Sequence, residues 1–431
     1  MTAWERLLPA SGASGELRDL TTHVHTYGEL DRDRSPHALI ADVRDSGLTG
    51  RGGAGFPSYR KLEAVRAASR AARATPVVIA NGAEGEPASH KDKVLLTHAP
   101  HLVLDGLQVA ALALGADEAV IYVHEGPLVS TVADVIDIRR RTRVDRVPTR
   151  VVSAPARFIS GQETAVVSRI DGGSALPRSV PPPIYQRGVQ RRPTLVNNVE
   201  TLAHMGLIAR YGGEWFRGLG TTAEPGTMLF TVSGAVQRPG VVEAPIGVGL
   251  DQLLGISRLT APVNAVLVGG YHGTWIEYED GRHTLADASL EPVGARLGAG
   301  VLVALPASAC GLVETSRVAT YLADESARQC GPCLNGLPAI AHALTGLARG
   351  RRDPSLPAQI ETLIHLVEGR GACRHPDGTA RMVRSALRVF RAEIDLHLGG
   401  HCSATTSAPV LPTGADPTGG RGEREPVGAT S

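Results

Sequence analysis

From about residue 36 to 210, short apolar runs alternate with stretches of helical period. "HALIADVRDSG" is helical in spacing, and a glycine-rich loop and a second helix from about Ser58 follow it. "TPVVIAN", "EAVIYV" and "TRVVSA" are predicted strands, "HLVLDGLQVAALALGA" a helix and "QETAVVSRI" a helix start. Such alternation predicts an α/β layer architecture, placed at 35–215 after an N-terminal extension, 1–34. Between about 226 and 306 the period shortens: "MLFTVSG", "GVVEAPIG", "NAVLVGGYHG", "TWIEYED" and "GVLVALP" predict a small β domain with one helix at "LDQLLGI". After 317, "RVATYLADES", "LPAIAHALTGLARG", "LPAQIETLIHLVEGRG" and "DGTARMVRSALRVFRAEIDLHLGG" predict a helical bundle reaching 402. The tail, 403–431, has too little apolar surface to offset its ordering entropy and is expected to be disordered. "LPRSVPPPIYQRG" is extended by its prolines and is expected to wrap a surface or edge a pocket.

Composition narrows the function. A formal net charge of +1 over 431 residues argues against wholesale nucleic-acid or membrane-surface binding, both of which need a basic face. The start, "MTAWERLLPASGASG", lacks a secretory pattern, and no stretch approaches a membrane span, so a cytoplasmic protein without membrane insertion is expected. Thiols stay reduced there, and Cys330-Gly-Pro-Cys333 with a distant Cys373 reads as metal or redox chemistry before a disulfide. Cys310 and Cys402 read as a buried and a tail thiol.

Four polar loops interrupt the α/β unit. "GLTGRGGAGFPSYRK" carries Gly50, Gly52, Gly53 and Gly55 between two helices, so an ordinary dinucleotide fingerprint, which needs a preceding strand, does not apply. Glycines nevertheless let the backbone approach a ligand, a helix N-terminus offers amides to phosphate, and Lys61 lies about one turn in. "VVIANGAEGEP" sets Asn81, Glu84 and Glu86 after a strand, where carboxylates would accept from ribityl or ribose hydroxyls. "FISGQETAVV" offers Gly161 and Glu163, and "PTLVNNVETLAH" offers Asn197, Asn198 and Thr201. Singly each is an ordinary turn or cap. Together they suggest one large polar ligand.

In order and spacing, "SGLTGRGGAGFP", "NGAEGEP", "ISGQETA", "PTLVNNVETLA", "TVSGAVQRPGVVE" and "ESARQCGPCLNG" resemble the NADH-oxidising, FMN-binding subunit of respiratory complex I and its relatives in hydrogenases and formate dehydrogenases, over roughly residues 35–402. The resemblance implies a Rossmann-like FMN-binding α/β domain, a β-grasp (SLBB, ubiquitin-like) domain and a C-terminal helical bundle holding a 4Fe-4S cluster. It assigns the glycine loop, Lys61, Asn81, Glu84, Gly161, Glu163, Asn197, Asn198 and Thr201 to FMN, leaves Phe56, Glu86 and Phe158 for NAD(H), and sets Glu163 and Glu86 at the hydride pocket. Cys330, Cys333 and Cys373 match three of the four cysteines of the family's cluster motif, and the first falls on Ala327.

Several arrangements answer that gap: three thiolates with water, His375, Cys310 or Cys402 as a fourth ligand; a three-iron form; or an empty site or zinc, with "CRHPDG" supplying a histidine. Other family positions also differ: Thr49 replaces an arginine, Ala83 an acid, Gln162 one of paired glutamates, and Val180 and Pro183 a lysine and a phenylalanine. The NADH contacts are therefore less complete than the FMN contacts. The resemblance implies an electron-transfer oxidoreductase with a ferredoxin-like or thioredoxin-like partner, in a larger complex. The alternative is a degenerate paralogue kept for assembly or docking.

Overall fold

The computed structural model describes residues 4–8, 16–178, 182–279 and 283–414. Helices α1 (Leu20–Tyr27), α2 (Pro36–Ser46) and α3 (Ser58–Ala72) precede strand β1 (Val77–Gly82). Helices α4 (Lys91–His98) and α5 (Pro100–Leu114) lead to β2 (Glu118–His124), and α6 (Pro127–Thr142) leads to β3 (Thr149–Ala154). Helix α7 (Glu163–Ile170) comes before β4 (Thr194–Asn198), which runs directly into α8 (Val199–Arg217). The start of α2 illustrates the local logic: the Ser35 hydroxyl accepts from the Ala38 amide at 3.2 Å, and Pro36 fills the first helical position, where an amide proton has no helical partner.

These strands form a parallel sheet in the order β3-β2-β1-β4. Val78, Ala80, Ile121 and Val123 face a core shared with α5, α6 and α8, while Val77, Ile79, Val120 and Tyr122 face α7. Both faces are covered, which is why the strands read as continuous apolar runs. Because β1 has β2 on one side and β4 on the other, the connections diverge at β1, and a crevice opens beyond its carboxyl end.

The second sheet comprises β5 (Thr227–Gly234), β6 (Gly240–Pro245), β7 (Val263–Val268), β8 (Thr274–Glu277) and β9 (Val301–Pro306), with α9 (Leu250–Ile256) and α10 (Asp287–Leu290) between strands. Its order is β6-β5-β9-β7-β8; β5 and β9 are parallel and the other pairs antiparallel. Alternation along β7 divides its residues: Val266 and Val268 pack on α9, and Ala265 and Leu267 pack toward the C-terminal helices.

Those helices are α11 (Gly311–Asp324), α12 (Leu337–Ala348), α13 (Leu356–Val367), α14 (His375–Val389) and α15 (Arg391–Leu398). The stretch expected as one long helix divides at Phe390, whose φ of −101° and ψ of 32° leave the helical region. Its ring meets Trp275 edge-to-face at 5.3 Å, so the break joins the helices to the middle sheet. None of the helices among the described residues is long and apolar enough to cross a membrane.

Two expectations need correction. The N-terminal segment is part of the core: Leu7, Leu17 and Tyr27 are buried, and the Glu243 carboxylate accepts from the amides of Arg6, Leu7 and Leu8. The tail is ordered as far as 414, with Leu411 buried and its amide bonded to Glu314 at 2.8 Å; residues 415–431 lie outside the described residues. The arginine run from 139 divides between solvent and core. Arg140 is exposed, but Arg139 is buried and bonds Asp105 at 2.7 Å and Asp145 at 2.6 Å.

Asp105 also bonds His23 at 2.7 Å and Arg210 at 2.5 Å, tying α1, α5, α6 and α8 together. Burial alone would raise its pKa, but Arg139, His23 and Arg210 outweigh burial and hold it well below the carboxylate range. Asp105→Ala strands the buried Arg210 guanidinium and leaves Arg139 with Asp145 alone, and urea unfolding should show a loss of about 3–5 kcal/mol. A loss below about 1 kcal/mol, the scale of an exposed pair, would contradict this reading.

Candidate functional site

The crevice beyond β1 and β4 gathers the four polar loops. Asn81 and Asn198 are register partners at the carboxyl ends of those strands. The Asn81 amide donates to Gly161 O at 2.8 Å, bringing the loop before α7 to the same point. A Cβ at Gly161 would come within 2.7 Å of Ala83 O, so only glycine permits that approach.

The glycine loop closes the opposite side. Gly50 N donates to Phe56 O at 2.9 Å, making a narrow loop, and Arg51 N donates to the buried Thr201 hydroxyl at 2.8 Å, fixing that loop on the first turn of α8. Gly53 and Gly55 have φ of +103° and +62°, conformations that strain other residues. No side chain caps α3, which begins just beyond the loop. Lys61 on α3 makes a close ion pair with Glu163 at the start of α7 and donates to Val196 O at 3.2 Å. Phe56, at 44% exposure, is a bare aromatic face at the rim.

Asn197 is 4% exposed, and its Nδ2 has no partner. A buried amide donor without an acceptor is costly, and a polar ligand in the crevice would satisfy it. The residues therefore fit a large polar group with a phosphate: a cation, uncapped helix amides and glycine backbone converge on one crevice, and β4 at its edge carries a buried unmatched amide.

Two predicted contacts are turned elsewhere. Glu84 accepts from the Ser89 hydroxyl at 2.5 Å and from the amides of Asp92 and Lys93, so it caps α4. Burial, reinforced by the Asp92 charge, pushes its pKa up to about 7. Phe158 packs against His272 at 4.9 Å, His375 at 5.5 Å and Tyr321 at 6.2 Å, so its ring joins three domains and is not a free stacking surface. Val180 lies outside the described residues.

The sequence reading missed Lys91. Its side chain is buried, with Nζ at 2.7 Å from Asp92, 2.8 Å from Glu200 and 3.3 Å from Asn198 Oδ1. Burial opposes its charge, but Asp92 and Glu200 more than reverse that and raise its pKa. A lysine in "SHKDK" carries no local mark of burial; only tertiary packing reveals it.

The thiols lie on the C-terminal helices. Cys330 leads into a π-helical turn, Pro332–Gly336, that contains Cys333. Burial would raise the Cys330 pKa, but amides of Ala372 and Cys333 on its sulfur lower it. Burial and the neighbouring Cys330 push Cys333 up to about 12, and burial raises Cys373. Three thiols with backbone amides directed at their sulfurs suit an iron–sulfur group. Arg328 keeps a left-handed φ of 53°, while the adjacent Ala327 supplies no ligand. His375 does not fill the gap: its Nε2 meets Leu322 O at 2.8 Å and its Nδ1 meets His272 at 3.1 Å. Cys310 and Cys402 belong to a separate group, Cys310–Glu393–His397–Cys402.

Glu86 sits at the junction of the domains. It accepts from the Tyr271 amide at 2.9 Å, and a Cβ at Gly270 would come within 2.3 Å of its carboxylate. Burial pushes its pKa up to about 8. In the folded chain it therefore holds a proton that the unfolded chain releases near pH 4.5, so its contribution to stability is present at low pH and is lost as pH rises toward 8. Relative to Glu86→Gln, the wild type should lose stability across pH 5–8 by up to about 1.4 kcal/mol per pH unit. Parallel urea profiles of the two proteins over that range would contradict the assignment.

Residues 43–206 match the Nuo51 FMN-binding domain, and residues 314–397 match the NADH-ubiquinone oxidoreductase-F iron-sulfur binding region. The chain is 31% identical over 408 residues to an F-type subunit of the NADH-quinone oxidoreductase of Rhizobium meliloti (strain 1021), covering 91% of this chain and 94% of that one. It is 30% identical over 381 residues to the F-type subunit of the NADH-quinone oxidoreductase of Escherichia coli (strain K12), covering 84% of each. Among solved structures it is similar to a chain of an NAD+-reducing [NiFe]-hydrogenase in the H2-reduced state, with TM-score 0.79 and 29% identity, covering 89% of this chain and 65% of that one. FMN and a 4Fe-4S cluster are thus the cofactors its two matched regions bind, and the chain belongs to the family of F-type subunits of NADH-quinone oxidoreductase.

Proposed function

We propose that this flavin and iron–sulfur oxidoreductase takes electrons from a reduced nicotinamide nucleotide and delivers them through the C-terminal thiol site to a ferredoxin-like or thioredoxin-like subunit of a larger complex. The observation that carries the flavin assignment is the unmatched Asn197 amide in a crevice also lined by Lys61 and the glycine loop. FMN supplies the exchange between two-electron and one-electron chemistry. The chain's own residues supply position and charge. Lys61 and the first turn of α3 are placed for the phosphate, with Gly50, Gly52, Gly53 and Gly55 letting the backbone close over it. Asn81, Gly161, Asn197, Asn198 and Thr201 frame the polar body, and Glu163 holds Lys61 in place. Glu86, kept protonated near neutral pH by burial, can donate a hydrogen bond or a proton where the domains meet.

The middle domain is read as a β-grasp, SLBB-type module: numbered within the domain its strand order is 2-1-5-3-4, with a parallel central pair. The C-terminal helices are read as the cluster-bearing bundle. Leu334 and Leu366, 53% and 51% exposed near the thiols, provide apolar surface for an electron-accepting partner. Five free cysteines fit a reducing, cytoplasmic setting. A docking-only role leaves the unmatched Asn197 amide and the Lys61–Glu163 pair without purpose.

Anaerobically purified protein should contain FMN and iron, and NADH should bleach its flavin absorbance. Phe56 is the remaining rim aromatic, so Phe56→Ala should raise KM for NADH about twofold to tenfold, on the scale of one lost stacking contact, at unchanged flavin content. Bound flavin that NADH leaves oxidised would move the donor elsewhere, and protein lacking both cofactors under these conditions would overturn the proposal.

A further inference from the structure

The two cysteines that the cluster motif does not use come together with two other metal-ligating side chains. Cys310 immediately precedes α11, Glu393 and His397 lie one turn apart on α15, and Cys402 follows that helix. One donor atom from each lies within 4.8 Å of all the others. Cys310 Sγ is 3.4 Å from His397 Nε2 and 3.8 Å from Glu393 Oε1, and those nitrogen and oxygen atoms are 3.1 Å apart. A tetrahedral ion with bonds of about 2.0 Å to nitrogen or oxygen and 2.3 Å to sulfur sets its donors about 3.3–3.8 Å apart. The three edges among Cys310, Glu393 and His397 are close to that tetrahedron, and Cys402 completes the group within 4.8 Å.

We propose that Cys310, Glu393, His397 and Cys402 form a structural zinc site. Two sulfurs, an imidazole and a carboxylate are a borderline-soft donor set that favours Zn2+ over Mg2+ or Ca2+, and four protein ligands leave no open position for catalysis. His397 is oriented for the role, since its other ring nitrogen, Nδ1, faces Leu347 O at 3.2 Å and leaves Nε2 toward the ligand group. The same geometry argues against a Cys–His–Glu nucleophilic triad. There the carboxylate would orient the nitrogen opposite the thiol, whereas Glu393 and Cys310 both address Nε2. The site joins the approach to α11 to the segment after α15. That segment is already held by Ser403 N on Glu393 at 2.9 Å and Thr405 N on Ser308 O at 2.9 Å.

The test uses the full-length chain, purified anaerobically, with Zn2+ as the probe. Elemental analysis should find one tightly held zinc in wild type and in Cys330→Ser. The affinity should fall at least tenfold in Cys402→Ser, whose exposed position lets the fold persist, with iron content unchanged. Zinc-edge X-ray absorption should show two sulfur neighbours at about 2.3 Å and two nitrogen or oxygen neighbours at about 2.0 Å. No zinc in wild type, zinc lost in Cys330→Ser but kept in Cys402→Ser, or a Cys310–Cys402 disulfide in the anaerobic protein would overturn the proposal.

Discussion

The buried ammonium of Lys91 is the interaction on which the flavin crevice depends. An unpaired lysine could not remain charged there, and Asp92 and Glu200 stand within 2.8 Å to compensate it. Each partner is itself committed. Glu200 accepts from the Leu229 amide of β5 at 2.8 Å, which ties the first sheet to the middle domain. Asn198 is held between them: its Oδ1 faces Lys91 and the Glu200 amide, and its Nδ2 donates to Asp92 at 2.6 Å. With Asn198 fixed, the end of β4, the start of α8 and the Thr201 hydroxyl that receives the glycine loop have one arrangement. The polar crevice is rigid because a charged cluster beneath it tolerates no other packing.

A second set of contacts links the crevice to the thiols. Phe158 comes from the loop beside Gly161, His272 and Tyr271 from the middle domain, and Tyr321 and His375 from the C-terminal helices. His375 lies two residues from Cys373, so packed side chains bridge the two cofactor regions. The middle sheet, with one face on its own helix and the other on the C-terminal helices, fixes the separation between them. Packing of this kind between the domains suits electron transfer, which requires constant distances.

The α/β order of the first domain was legible because buried parallel strands are apolar on both faces, and the polar loops stood out against them. The missing ligand at Ala327 was legible only through the resemblance, because Cys330, Cys333 and Cys373 laid on the family's motif leave its first cysteine unmatched. Lys91 was not, since nothing local distinguishes a buried lysine from a solvated one. The same holds for Arg139, which begins a run of arginines; only the fold sets Asp105 and Asp145 against it. Glu84 looked like a ligand acceptor after a strand, but the helix beginning at Lys91 gave its oxygens nearer donors. Cys310 and Cys402, ninety-two positions apart in sequence, became neighbours only when α15 brought His397 and Glu393 between them.

The central claim is that the crevice at β1 and β4 holds FMN on an amide framework fixed by Lys91. The most direct measurement is the dissociation constant of FMN from the deflavinated chain, by fluorescence quenching, in wild type and in Asn198→Ala, with circular dichroism as the control for folding. The account predicts one FMN per wild-type chain and affinity at least about tenfold weaker in the folded variant, the scale of one lost buried hydrogen-bonding group. Equal affinity in the two folded proteins, or no binding to the wild type, would contradict it.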